Sequence, residues 1–235
     1  MKDKEIIKHL RQVLDRPLQV KGYKFNSKKG SYIRFDSTTG LYFEISFLLL
    51  DYATEENVKG KYLEIYLYIC HNEISKILCE TSTRNFLDLF SFPLVRNMLP
   101  DIVLNPDFEN YTKRNNHNYF RLIFSNENDL NEKPVQILSL IDTYVLPFFE
   151  KFDTLEKIGG QFDNSYEKNM VFINSNPDRL FALTALLWIL KDSEVEKKTN
   201  QIRTIFEEYS NRYKDPNYLK EFDRLVERFK SAGGG

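Results

Sequence analysis

Two twelve-residue stretches, "LYFEISFLLLDY" (Leu41–Tyr52) and "KYLEIYLYICHN" (Lys61–Asn72), most constrain what this chain can fold into. Both are rich in aromatic and branched residues, which suit a pleated, half-buried surface. Side chains alternate faces along a strand. In the second stretch Leu63, Ile65, Leu67 and Ile69 therefore point one way, and Tyr62, Glu64, Tyr66 and Tyr68 the other. In the first, Leu41, Phe43, Ile45 and Phe47 form the apolar face, opposite Tyr42, Glu44 and Ser46. The joint between them, "ATEENVKG", is too short for a parallel crossover, so the pair is read as antiparallel. Upstream, "YKFNSKKGSYIRFD" predicts a hairpin turning at Ser27–Gly30, and "STTG" (Ser37–Gly40) predicts the next turn.

Helical spacing brackets this sheet. Ile6, Ile7, Leu10, Val13 and Leu14 share one face of a helix over Lys4–Leu14, with Asp3 as cap, Pro17 as its kink or end and Gly22 at its exit. The middle is less regular. It suggests a helix near Thr83–Phe90, a second short one, and a strand over His117–Asn126. A long helix is expected over Glu132–Phe152, starting near Glu132 and Pro134 and kinked at Pro147. In "VLPFFEKFDTLEKIGG", Phe148, Phe149 and Phe152 should anchor the helix end in the core. Asp153 or Thr154 would cap a short helix that Gly159–Gly160 end. An apolar helix over Asn174–Lys191 and two amphipathic helices follow. One carries Ile202, Ile205, Phe206 and Tyr209 on a face; the other carries Leu219, Phe222, Leu225, Val226 and Phe229. Short polar joints predict antiparallel packing. The fold class is thus α+β: an antiparallel β-sheet of four to five strands with an N-terminal helix, followed by an α-helical C-terminal region. The plan is a sheet region over 1–152, a helical region over 153–230 packed on it, with a soft boundary in Asp153–Phe172, and a flexible tail over 231–235.

Composition narrows the function classes. A chain of 235 residues can support a real core. Its 19 Phe and 14 Tyr demand buried pockets or a partner surface. Net charge is −1, so the basic excess that marks nucleic-acid binding is absent. Lysine-rich "KGYKFNSKKG" could contact phosphate, but such a hairpin tip is ordinarily solvated and guards against edge pairing. Cys70 and Cys79 are too few to staple a chain of this size, which suits a reducing compartment. The charged N-terminus lacks a signal-peptide core, and "FALTALLWIL" is about half a membrane span. A cytoplasmic protein without a membrane segment is expected.

Three stretches carry a resemblance. They are the N-terminal helix leading to "LQVKGYKF" and "SYIRF"; "YVLPFFEKFDTLEKI"; and "ALTALLWILKDSEVEKKTNQI", a helix pair whose turn holds "KDS". Together they span most of the chain, which resembles the uncharacterised bacterial domain of unknown function numbered four-three-zero-four. Members of such families are often found near toxin–immunity or defence genes. The resemblance implies a binding protein more than an enzyme, and it supplies no catalytic residue.

Candidate chemistry is sparse. His9, His71 and His117 stand apart from one another, and Cys70–His71 lacks a nearby second pair, so zinc-ligand spacing is missing. No Gly-x-Ser-x-Gly elbow or phosphate loop appears. Asp36, Glu44, Asp51 and Glu64 lie on or beside the strands and could hold magnesium in a metal-dependent nuclease, but no Glu-x-Lys ends either strand. The surface that stands out is the face bearing Tyr42, Glu44, Tyr62, Glu64, Tyr66 and Tyr68. Tyrosine combines contact area with a polar tip and is favoured at interfaces. The alternative is that the C-terminal helices cover this face. The expectation is a protein-binding module with no cofactor. Its partner would be a toxin, a defence-complex subunit or a second copy of the chain.

Overall fold

The computed structural model describes residues 2–53, 59–83, 92–104, 122–163, 178–214 and 217–232. It is a mixed α+β fold with an N-terminal helix, an antiparallel sheet and a C-terminal helical region. The chain divides into two compact units. One comprises Met1–Ser37, Tyr42–Tyr68 and Arg96–Phe152; the other comprises Thr38–Leu41, Ile69–Val95 and Asp153–Gly235.

In the first unit, α1 (Asp3–Val20) buries Ile6, Leu10, Leu14 and Leu18, a stripe at four-residue spacing. It runs through Pro17 rather than ending there. The end comes at Gly22, whose φ of 84° closes a Schellman motif: Gly22 N–H donates to the Gln19 carbonyl and Tyr23 N–H to that of Leu18. Asp3 is the first helical residue, not the cap; its carboxylate meets Lys61 at 2.8 Å. The Lys61 ammonium also holds Asp51 at 2.6 Å, tying the helix start to the long strands.

The strands are β1 (Lys24–Asn26), β2 (Ser31–Asp36), β3 (Leu41–Ala53), β4 (Lys59–His71), β5 (Val95–Met98) and β6 (Leu122–Phe124). Sheet order is β1-β2-β3-β4-β5, and β6 also pairs with β4, antiparallel, with Tyr62 opposite Ile123. The described sheet thus has six strands rather than four or five, because two short strands share one edge of β4. The first hairpin forms as expected. Asn26 Oδ1 accepts from the Lys28 and Lys29 N–H groups, and Gly30 takes φ 67°. Most of the joint between β3 and β4 lies outside the described residues, as do the expected helix from residue 84 onward and residues 117–121 of the expected strand.

The aliphatic face of β3 and β4 is buried throughout. Against it lies the helical stretch that the sequence reading starts at Glu132. It follows α3 (Leu99–Leu104) and β6 and begins earlier, at Glu127, where Asn126 and Asp129 form a reciprocal capping box, and Pro134 sits inside α4 (Glu127–Leu140). Pro147 does not break the helix. Proline has no N–H for the carbonyl four residues back. The chain answers with a π-turn over Ile141–Val145, in which Leu146 N–H reaches back five residues to Ile141, and then continues as α5 (Leu146–Lys151). That places Phe149 against Phe43 (centroids 5.3 Å apart) and Tyr23 (6.5 Å).

In the second unit, α2 (Asn72–Thr81) follows β4 directly. His71 caps it, its Nδ1 accepting from Ile74 N–H at 3.4 Å. The other ring nitrogen donates to the Thr39 backbone. A Cβ on Gly40 would lie 2.9 Å from His71 Nε2, so glycine is needed for this close approach. Burial holds the His71 imidazole below its ordinary range, against opposing pulls from Glu73 and the Thr39 backbone. The folded state therefore binds fewer protons at this site than the unfolded chain. Its stabilising contribution should be complete above about pH 6.5 and decline as pH falls toward the lower folded-state value. His71→Asn keeps a capping acceptor and should remove this part of the pH dependence, whereas His71→Ala should cost about 0.5–2 kcal/mol at neutral pH. Urea unfolding of both variants between pH 5 and 8 checks the two effects; an unchanged slope in His71→Asn would count against the assignment.

Thr154 caps α6 (Leu155–Asp163), its Oγ1 accepting from Lys157 N–H. Gly159 and Gly160 do not end that helix; they lie inside it. A Cβ on Gly159 would sit 2.8 Å from Leu190 Cδ1, so this glycine lets α6 approach α7 (Asp178–Ile189) closely. Helices α7, α8 (Val195–Tyr213) and α9 (Asn217–Ala232) pack through Phe181, Phe206 and Phe222, with ring centroids 4.8 and 4.9 Å apart. Arg203 of α8 bonds Asp223 of α9 at 3.1 Å.

Candidate functional site

The alternation of β4 is visible in its burial. Leu63, Ile65, Leu67 and Ile69 are buried, whereas Tyr62, Glu64, Tyr66 and Tyr68 are half-buried. On this second face Tyr66 and Tyr68 lie nearly parallel, centroids 6.2 Å apart at 12°. The Tyr66 hydroxyl donates to Glu64 Oε2 at 2.7 Å. Burial first, and then the Glu64 carboxylate, push the Tyr66 hydroxyl up to about 12. The phenol is therefore neutral at physiological pH and serves as a donor.

Arg96 of β5, itself exposed, covers both rings, its guanidinium carbon 5.5 Å from the Tyr66 centroid and 6.0 Å from that of Tyr68. A guanidinium over aromatic faces is held by the ring quadrupole, which fixes its direction. Glu64, Tyr66, Tyr68 and Arg96 therefore form one preorganised cluster. Tyr42 belongs to a second one on the same face: it stacks on Phe35 of β2 at 4.4 Å and 30°. Phe35 is 48% exposed. By alternation Leu48 and Leu50 extend this face along β3, at 43% and 40% exposed. Tyr62 stands opposite Ile123 of β6. Glu44 differs from the other five, being 3% exposed, so it lies within the face rather than on it.

Two contributors were not foreseen. Phe35 was legible, since "SYIRF" alternates and Tyr32 and Arg34 take the core side. Arg96 was not: "VRNM" is a four-residue strand with no periodic signal of its own.

The carboxylates of the nuclease alternative are divided between the two faces of the sheet. Asp51 shares the core-side parity of Phe43 and Ile45 and is paired with Lys61, which lowers its pKa. Glu44 and Glu64 belong to the opposite face. Among the described residues no group of three His, Cys, Asp or Glu side chains could hold a metal ion. His71 is a helix cap, Cys70 is buried and Cys79 is half-buried. No described helix is long and apolar enough to cross a membrane.

The chain matches no family model, no curated protein and no solved structure.

Proposed function

We propose that this chain is a protein-binding module that docks a partner protein on the second face of its sheet. One observation carries the reading: Phe35, Leu48 and Leu50, all at least 40% exposed, share a face with an ordered tyrosine–arginine cluster. Surfaces of this make-up, aromatic side chains with an arginine on a rigid support, are where binding energy concentrates. Because the rings are already stacked and the Tyr66 hydroxyl already bonded, little side-chain entropy remains to be lost on docking. The action would be occlusion, the sheet covering a working surface of the partner. A toxin or a defence-complex subunit is the kind of partner this mechanism suits.

The test is affinity capture from the source cells with wild type and Tyr66→Ala/Tyr68→Ala, folding of both being checked by circular dichroism. The captured partner should bind the folded double variant at least about tenfold more weakly, as expected when a hot-spot pair is truncated. A folded variant that retains its partner at wild-type affinity would remove the tyrosine cluster from the interface.

A further inference from the structure

Beside the tyrosine face, the edge of the sheet at β1 borders a shallow groove of about 730 Å³, lined by residues that include Gly22, Lys24, Asn26, Lys28, Ile33 and Phe35. We propose that this groove takes an extended acidic segment of the docked protein, an inference that rests on the protein-binding reading above.

Three features converge on that occupant. The first is charge. Lys24 and Lys28 are exposed on the rim, and the lining contains no carboxylate. In a chain of net charge −1 this is a local excess, not a share of a general one. The second is the apolar floor. Ile33 and the half-exposed Phe35 lie on one side of β2, and Phe35 stacks on Tyr42, so the groove is continuous with the tyrosine face. The third is the free edge. Among the described residues β1 has only β2 as a strand neighbour, with Lys24 opposite Ile33 and Asn26 opposite Ser31. An edge strand offers an unpaired row of backbone donors and acceptors to an extended peptide. The groove is also held in shape, since Asn26 Oδ1 already binds two turn amides and the hairpin tip is closed. Lys24 stands opposite Ile33, so their side chains share one face, and an extended peptide would set its carboxylates and its apolar side chains on that same face, two residues apart. A neutral or basic segment would leave the lysines unanswered.

The same short, lysine-flanked strand is also how proteins guard an edge against pairing, so the measurement must separate docking from protection. Fluorescein-labelled seven-residue peptides with serine at every second position serve as probes: Ser-Glu-Ser-Val-Ser-Glu-Ser, its lysine-for-glutamate counterpart and its glycine-for-valine counterpart. Anisotropy is read on the full chain, on Lys24→Glu/Lys28→Glu and on Tyr66→Ala/Tyr68→Ala, with folding of each verified by circular dichroism. The valine–glutamate peptide should bind the wild type at least tenfold more tightly than either control. It should lose at least tenfold on the charge-reversed variant and be unchanged on the tyrosine variant. Equal binding of the three peptides, no binding of the acidic one, or binding that survives charge reversal would overturn the proposal. Acidic-peptide binding that stays intact while the tyrosine variant keeps its captured partner would sink the tyrosine face alone. Partner loss in the tyrosine variant without groove binding would sink the groove alone.

Discussion

Phe149→Ala is expected to destabilise the sheet unit by about 3–5 kcal/mol, the range for emptying a well-packed aromatic site. Phe149 is 1% exposed and touches Phe43 of β3, Tyr23 beyond α1, and Phe148 of its own helix. Its removal leaves a void bounded by three aromatic rings whose backbones belong to different elements, so collapse around it is limited. Amide hydrogen exchange in β3 and β4 under increasing urea measures the loss. Protection falling by less than about tenfold, which corresponds to about 1.4 kcal/mol, would show that the π-turn segment does not anchor the sheet as the ring geometry indicates.

Phe206→Ala should produce a loss of similar size in the helical unit. Phe206 is fully buried on α8 between Phe181 of α7 and Phe222 of α9, so a single ring joins three helices. The chain has one tryptophan, Trp188 of α7, stacked on Phe229 of α9 at 5.9 Å. Its fluorescence therefore reports on this unit. The urea midpoint followed at Trp188 should shift by the equivalent of about 3–5 kcal/mol in Phe206→Ala. A midpoint within error of wild type would mean that the three-ring stack contributes little to holding α7 and α9 together. Reading both variants with both probes also shows how far the unfolding of one unit is felt in the other.

The sheet was legible in the sequence where its pattern is long. Over residues 41–47 of β3 and 62–69 of β4 the pattern has period two, and the apolar positions expected on the core side are buried, with Glu44 buried as well. Gly22 was legible for a related reason: a positive φ after an amphipathic stripe is a local requirement that glycine meets at least cost. The misreadings share a cause of the opposite kind. Gly159–Gly160 looked like a helix stop because glycine is a poor helix former, yet Gly159 is used for the approach of α6 to Leu190, thirty-one positions away. Pro17 and Pro147 were visible as interruptions, but local chemistry does not say whether a helix will stop, continue or widen. Packing decided it, because the apolar stripes on either side of each proline are buried against neighbours worth more than one lost backbone bond.

For the candidate site the division is sharper. That Tyr62, Glu64, Tyr66 and Tyr68 share a face follows from the pleat alone, a property of consecutive residues. So does the opposition of the aliphatic positions to them. Which groups complete that face does not follow. Arg96 reaches Tyr66 and Tyr68 from a strand about thirty residues on, Phe35 reaches Tyr42 across a turn, and Glu44 is buried while Glu64 is not. These are consequences of strand order and pairing, which bring distant segments side by side through long-range contacts that no short sequence window contains. Alternation along each strand sets the faces; strand order and pairing set what meets on them.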